Sequence, residues 1–127
     1  MPVKFLSQEW TNELQDRLNA SESFKKSVVG VAAKLQQVVT GPDGESRYWI
    51  QIQDGGVGMG QGDIEAPDAT VTQDYDTAVG LATSQVNAMS AFMTGRLKIA
   101  GNMGMLMQLQ TAISELGHAM QEMDVDY

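Results

Sequence analysis

Residues 92–104 read Phe-Met-Thr-Gly-Arg-Leu-Lys-Ile-Ala-Gly-Asn-Met-Gly, and the hydrophobic pattern changes period twice inside them. An apolar helical pattern runs out at Phe92 and Met93, and Gly95 offers the left-handed residue that closes many helices. Leu97 and Ile99 then alternate with Arg96 and Lys98, the period-two mark of a strand with one buried face. Gly101-Asn102 breaks that strand, and a long helical pattern starts near Met103. The stretch predicts helix, turn, short strand, turn, helix. Both flanking segments must pack on the sheet that this strand joins.

Downstream, the pattern predicts one amphipathic helix from Met103 to about Met123. At about 100° per residue, Leu106, Leu109, Ile113, Leu116, Gly117 and Met120 share a sector, bordered by Met103 and Met105. Gln110 points into that apolar sector, where an amide must find a partner. Two partners are open to it: a backbone group beside Gly101, or the polar head of a bound molecule. Upstream, Asp74 is a good N-cap for a helix from Tyr75, with Val79, Ala82, Val86, Met89 and Met93 as its buried stripe and Leu81, Ala88 and Phe92 widening it. Asn87 is a candidate break into two shorter helices.

The strands lie further out. Val29, Val31, Ala33, Leu35 and Val39 form one face of a strand and Gly30, Lys34, Gln36 and Thr40 the other. Gly41-Pro42-Asp43-Gly44 is strong turn chemistry, and the strand beyond it sets Tyr48, Ile50 and Ile52 against Trp49, Gln51 and Gln53. This is an antiparallel hairpin. After Asp54-Gly55-Gly56, glycines 56, 58, 60 and 62 alternate with Val57, Met59 and Gln61. Two readings stand: a flexible edge strand or loop, or a bare sheet face that lets a helix or ligand come close. A dinucleotide loop is rejected, because no βαβ unit surrounds these glycines. Pro67 then leads a strand in which Ala69, Val71 and Gln73 oppose Thr70 and Thr72. At the N-terminus, residues 1–6 read as a lead-in, and Ser7 caps a helix with Trp10, Leu14 and Leu18 in one row. Ser21 caps a further turn through Phe24.

Composition narrows the function. With 127 residues the chain makes one domain, 1–127, with an N-terminal helical part at 7–27 and a core at 28–123. There is no cysteine, so thiol catalysis, disulfides and thiolate metal sites are out. A net charge of -8 argues against nucleic acid and against docking on anionic lipid surfaces. No apolar run is long enough to span a membrane and no leader pattern opens the chain, so a cytoplasmic protein without stable membrane insertion is expected. The single histidine, His118, lies at helical spacing from Glu115 and Glu122, but on the face opposite the apolar stripe, where solvated charges belong. No metal, no cofactor and no catalytic constellation is therefore expected. Methionine is the outlier. Met89, Met93, Met103, Met105, Met107, Met120 and Met123 crowd the last third, and such residues serve either as adaptable core filler or as a surface that fits several apolar partners.

The run Phe92-Met93-Thr94-Gly95-Arg96-Leu97-Lys98-Ile99, then Gly101-Asn102-Met103-Gly104 and Leu109-Gln110, resembles the signature of the sterol carrier protein type-2, non-specific lipid-transfer family. Ala66-Pro67-Asp68-Ala69-Thr70-Val71-Thr72 also matches its pattern, and the resemblance covers roughly residues 29–120. It implies an α+β fold: a curved, mostly antiparallel five-stranded sheet covered on one face by helices, with an apolar pocket between the sheet and the last two helices. It also implies a prokaryotic-type, stand-alone lipid-binding or lipid-transfer protein whose partner is a fatty acid, fatty acyl-CoA or related lipid, as monomer or homodimer. The lipid-facing set expected from it is Val86, Met89, Phe92, Met93, Leu97, Ile99, Met103, Leu106, Met107, Leu109, Gln110 and Ile113. The final residues, Asp124-Val125-Asp126-Tyr127, depart from the Ser-Lys-Leu-type address of the family's peroxisomal members, which sets sterol and the peroxisome aside as expectations. The rival reading is a non-catalytic interaction or dimerisation module that keeps the fold without an open cavity.

Overall fold

The computed structural model describes residues 2–42, 44–83 and 85–127, leaving out the side chains of Ala88, Met89, Leu106 and Gln110. The hairpin places two strands at the centre of a five-stranded sheet: β2 (Ala33–Gly41) pairs antiparallel with β3 (Gly44–Gln53) in the register Leu35↔Ile50. β4 (Gly56–Gln61) adds outside β3, while β5 (Ala69–Asp74) adds parallel to β2 and carries β6 (Leu97–Gly101) on its far side. The order is β4-β3-β2-β5-β6, with one parallel pair. Alternation decides the faces: Leu35, Val39, Tyr48, Ile50, Ile52, Val57, Met59 and Ala69 all point into the main core. Segment 62–68 crosses the opposite face. Gln36 holds it there, accepting from Ile64 N–H at 2.8 Å and donating to the Gly62 carbonyl at 3.1 Å.

The helices cover the core face. Ser7 accepts from the Trp10 N–H and starts α1 (Gln8–Ala20), whose Trp10, Leu14 and Leu18 are completely buried. Ser21 closes α1 and caps α2 (Glu22–Ser27). α3 (Tyr75–Ala82) begins at the Asp74 cap, and α4 (Ala88–Met93) follows after residues 83–87. So the candidate break is real: the Asn87 side chain accepts from the Ser90 N–H and opens α4. α5 (Met103–Gln108) and α6 (Gln110–Glu122) complete the helices.

The structure corrects several expectations. The strand expected from Val29 starts at Ala33, because residues 28–30 turn there on Gly30 at φ 76°, leaving Val29 74% exposed. The lead-in is not one. β1 (Val3–Lys4) pairs in parallel with β7 (Val125–Asp126), and Phe5 is buried with its ring 5.1 Å from Trp10 and 5.0 Å from Tyr127. The glycine run is an edge strand whose bare face is filled by an indole: a Cβ on Gly60 would lie 2.5 Å from the Trp49 ring. Finally, the helix expected from Met103 to Met123 is two, broken at Leu109, which turns inward and is 1% exposed. Met, Leu and Gln are all good helix formers, so local propensity has nothing to mark this break. The two helices stay linked there, since Leu109 N–H reaches the Met105 carbonyl and Ile113 N–H the Leu109 carbonyl.

Candidate functional site

Below α3 to α6 the sheet presents two apolar clusters. The main one reaches from α1 across β2 to β4 and takes in Leu109 and Ala112. The smaller one consists of Val71, Ala91 and Leu97, with Leu81, Val86 and Ile99 packed against it. Ile99 touches both. β6 is held in place by its approach to the strand before it, since a Cβ on Gly101, at φ 118°, would collide with the Asp68 carbonyl oxygen and lie 2.8 Å from the Ala69 Cα. No L side chain fits that backbone and that space, so glycine is required there.

The expected lipid-facing residues divide into three groups. Leu97, Val86 and Ile99 come together in the small cluster, and Leu109 and Ile99 belong to the main one. Val86 sits directly on Gly80, where a Cβ would run into its Cγ2. Phe92 (38% exposed), Met93 (79%), Met103 (37%), Met107 (66%) and Ile113 (37%) stand outward on α4, α5 and α6. The side chains of Met89, Leu106 and Gln110 lie outside the described residues. Two shallow depressions, of about 470 and 370 Å³, are lined by residues such as Val29, Gly55 and Trp49, and by none of the expected set.

Two residues outside the expected set join the same region. Leu81 packs on the small cluster, and Met105, between outward-facing Met103 and Met107, packs on the main one. Leu81 was readable in the wide apolar arc of its helix. For Met105 the only signal was its place at the border of the apolar sector.

The end of the region nearest the α3 cap is polar. Arg96 donates from Nε to the Thr77 hydroxyl at 3.3 Å, and the Thr77 N–H reaches Asp74 Oδ1 at 2.7 Å. Hydrogen bonds from Thr77 hold the Asp74 carboxyl below the usual aspartate range, with Arg96 adding a smaller attraction. Among the described residues no three His, Asp or Glu side chains converge as metal ligands, and no helix is long and apolar enough to cross a membrane. The chemistry on offer is apolar packing with one polar end.

Comparison with known proteins fits this geometry. The family described as the SCP-2 sterol transfer family matches residues 11–114. Sterol carrier protein 2 of Rattus norvegicus is 36% identical over 101 residues, an alignment covering 78% of this chain and 18% of that protein. The chain spans about a fifth of the length of the curated relatives it matches. A crystal structure of sterol carrier protein 2 superposes with a TM-score of 0.81 at 20% identity, covering 94% of this chain and 99% of that one. The solution structure of sterol carrier protein domain 2 of Helicoverpa armigera gives 0.70 at 26% identity, covering 93% of each chain.

Proposed function

This chain belongs to the SCP-2 sterol transfer family, and we propose that it is a lipid carrier, not a catalyst, holding a single-chain lipid such as a fatty acid or fatty acyl-CoA. The lipid lies against β5 and β6, under α4, α5 and the start of α6. One observation carries the reading: among the described residues the core is divided there. Ile99 bridges a large and a small apolar cluster, while Phe92, Met93, Met103, Met107 and Ile113 stand exposed on α4, α5 and α6 around the division. An apolar chain entering that seam gains about 0.8 kcal/mol per buried methylene, so a chain of about 14 to 18 carbons gains on the order of 10 kcal/mol before entropy costs. The methionines are suited to the task, because their unbranched side chains repack around differing chains at low cost.

Titration calorimetry and thermal shift with palmitate and palmitoyl-CoA test this. Saturable heat with at least one of them, and a raised unfolding temperature, is the expected result. No heat and no shift with either would leave the interaction-module reading in its place.

A further inference from the structure

We propose that Gln73 reads the polar end of the bound lipid, its Oε1 accepting a hydrogen bond from an O–H group of the ligand; this rests on the lipid-carrier reading above. Gln73 points to the helix-covered face of β5, in line with Ala69 and Val71. Its register partners are Val39 on one side and Leu97 on the other. Val39 belongs to the large apolar cluster and Leu97 to the small one, so the amide stands in the seam between them. It is 7% exposed, and its Oε1 has no hydrogen-bond partner among the described residues.

A buried amide oxygen without a donor is an uncompensated cost, and folded proteins rarely keep one. The most buried glutamine of the sheet is paired through both its amide nitrogen and its amide oxygen. Gln36, 4% exposed on the opposite face, donates to the carbonyls of Gln37, Tyr48 and Gly62 and accepts from the Ile64 N–H. Among the described residues nothing uses the Gln73 oxygen in this way.

Its position shows what can. Along β5 and β6 the inward residues run from Val71 and Ile99 to Gln73 and Leu97, and beyond them stands the Asp74, Thr77 and Arg96 group, in which Asp74 and Arg96 are exposed. A chain lying on Val71, Ile99 and Leu97 brings its terminal group to Gln73. An acceptor there selects a donor: a hydroxyl, or a carboxyl that desolvation keeps protonated. An ester, thioester or ether oxygen carries no proton and gains nothing.

Two ligand pairs separate these sources: palmitic acid against methyl palmitate, and hexadecanol against hexadecyl methyl ether, in displacement titrations with wild type and Gln73→Met. In wild type the O–H member of at least one pair is expected to bind roughly fivefold to tenfold tighter than in the variant, relative to its capped partner. The acid pair alone would identify a carboxyl as the partner, and the alcohol pair alone a hydroxyl. The capped ligands should bind both proteins equally, and Gln73→Met should unfold no lower than wild type. Ratios unchanged by the substitution would overturn the proposal while leaving the carrier function standing. So would a Gln73→Met or Gln73→Leu protein that no longer folds, since the amide would then be structural. Failure of wild type to bind any of the four would remove the carrier reading, and this inference with it.

Discussion

The two edges of the sheet are secured by different means. Beside β4 lies α1, thirteen residues long, with Trp10, Leu14 and Leu18 wholly inside. Its side-chain amides also stand in for a missing strand. Asn19 donates to the Val57 carbonyl and accepts from the Val57 N–H, both at 2.9 Å, and Gln15 accepts from the Met59 N–H at 2.7 Å. An edge paired in this way offers less free ladder to another chain. Beside β6, by contrast, stand α4 and α5, six residues each, started by the side chains of Asn87 and Asn102. Isolated helices that short are marginal, and among the described residues the buried cluster beneath α4 consists of Val71, Ala91 and Leu97, with Leu81, Val86 and Ile99 packed against it. On this packing we expect the closed edge to carry more of the stability and the other edge to open more readily.

Stability differences should expose this asymmetry. The largest is expected from Leu14→Ala, about 3–5 kcal/mol for a cavity in the closed half. Met93→Ala, in the open half, should stay within about 0.5 kcal/mol. Urea unfolding of both proteins measures the gap, and similar losses would abolish the distinction. Asn19→Ala comes next. It strips two backbone groups of β4 of their partners at a cost of about 1–3 kcal/mol, and the freed edge should promote self-association visible by light scattering. Loss of stability without association would confine the clamp's role to hydrogen bonding.

A smaller effect is expected at the junction of the halves. Asp74→Ala removes the α3 cap for about 1 kcal/mol. The Asp74 carboxyl titrates lower in the folded chain than in the unfolded one, so folding favours its ionised form. Its contribution is therefore complete above about pH 4, the ordinary aspartate range, and drains away as pH falls through the lower folded value. Wild type should lose its advantage over Asp74→Ala in that acid window, by thermal unfolding at stepped pH. An advantage unchanged by acid would mean that the carboxylate charge is not what caps the helix.

Much of this division was legible in the sequence. The alternation of Tyr48, Ile50 and Ile52 with Trp49, Gln51 and Gln53 mapped directly onto the two faces of β3, because side-chain direction in a strand follows sequence parity. Leu97 and Gln73 were placed on their strand faces by the same rule, and the cap at Asp74 by residue chemistry. What stayed hidden depended on neighbours distant in sequence. The glycines of β4 meet the Trp49 ring of the next strand, which no local pattern reveals. Phe5 is buried through Tyr75 and Tyr127. The stripe from Val79 to Met93 was readable, and Asn87 as a break within it, but not the direction of the second helix, on which Phe92 and Met93 stand outward. That the Gln73 oxygen finds no partner among the described residues is likewise a property of packing, invisible until its surroundings are known.

Hydrogen exchange of lipid-free and palmitate-loaded protein tests the central claim most directly. If one half holds the fold and the other opens for the lipid, α1 and β3 should exchange slowly and equally in both states. Residues 88–109, which span α4, β6 and α5, should exchange fast without lipid and gain strong protection with it. Protection there that is high and identical in both states would mean a rigid, preformed core, and the open half would not exist.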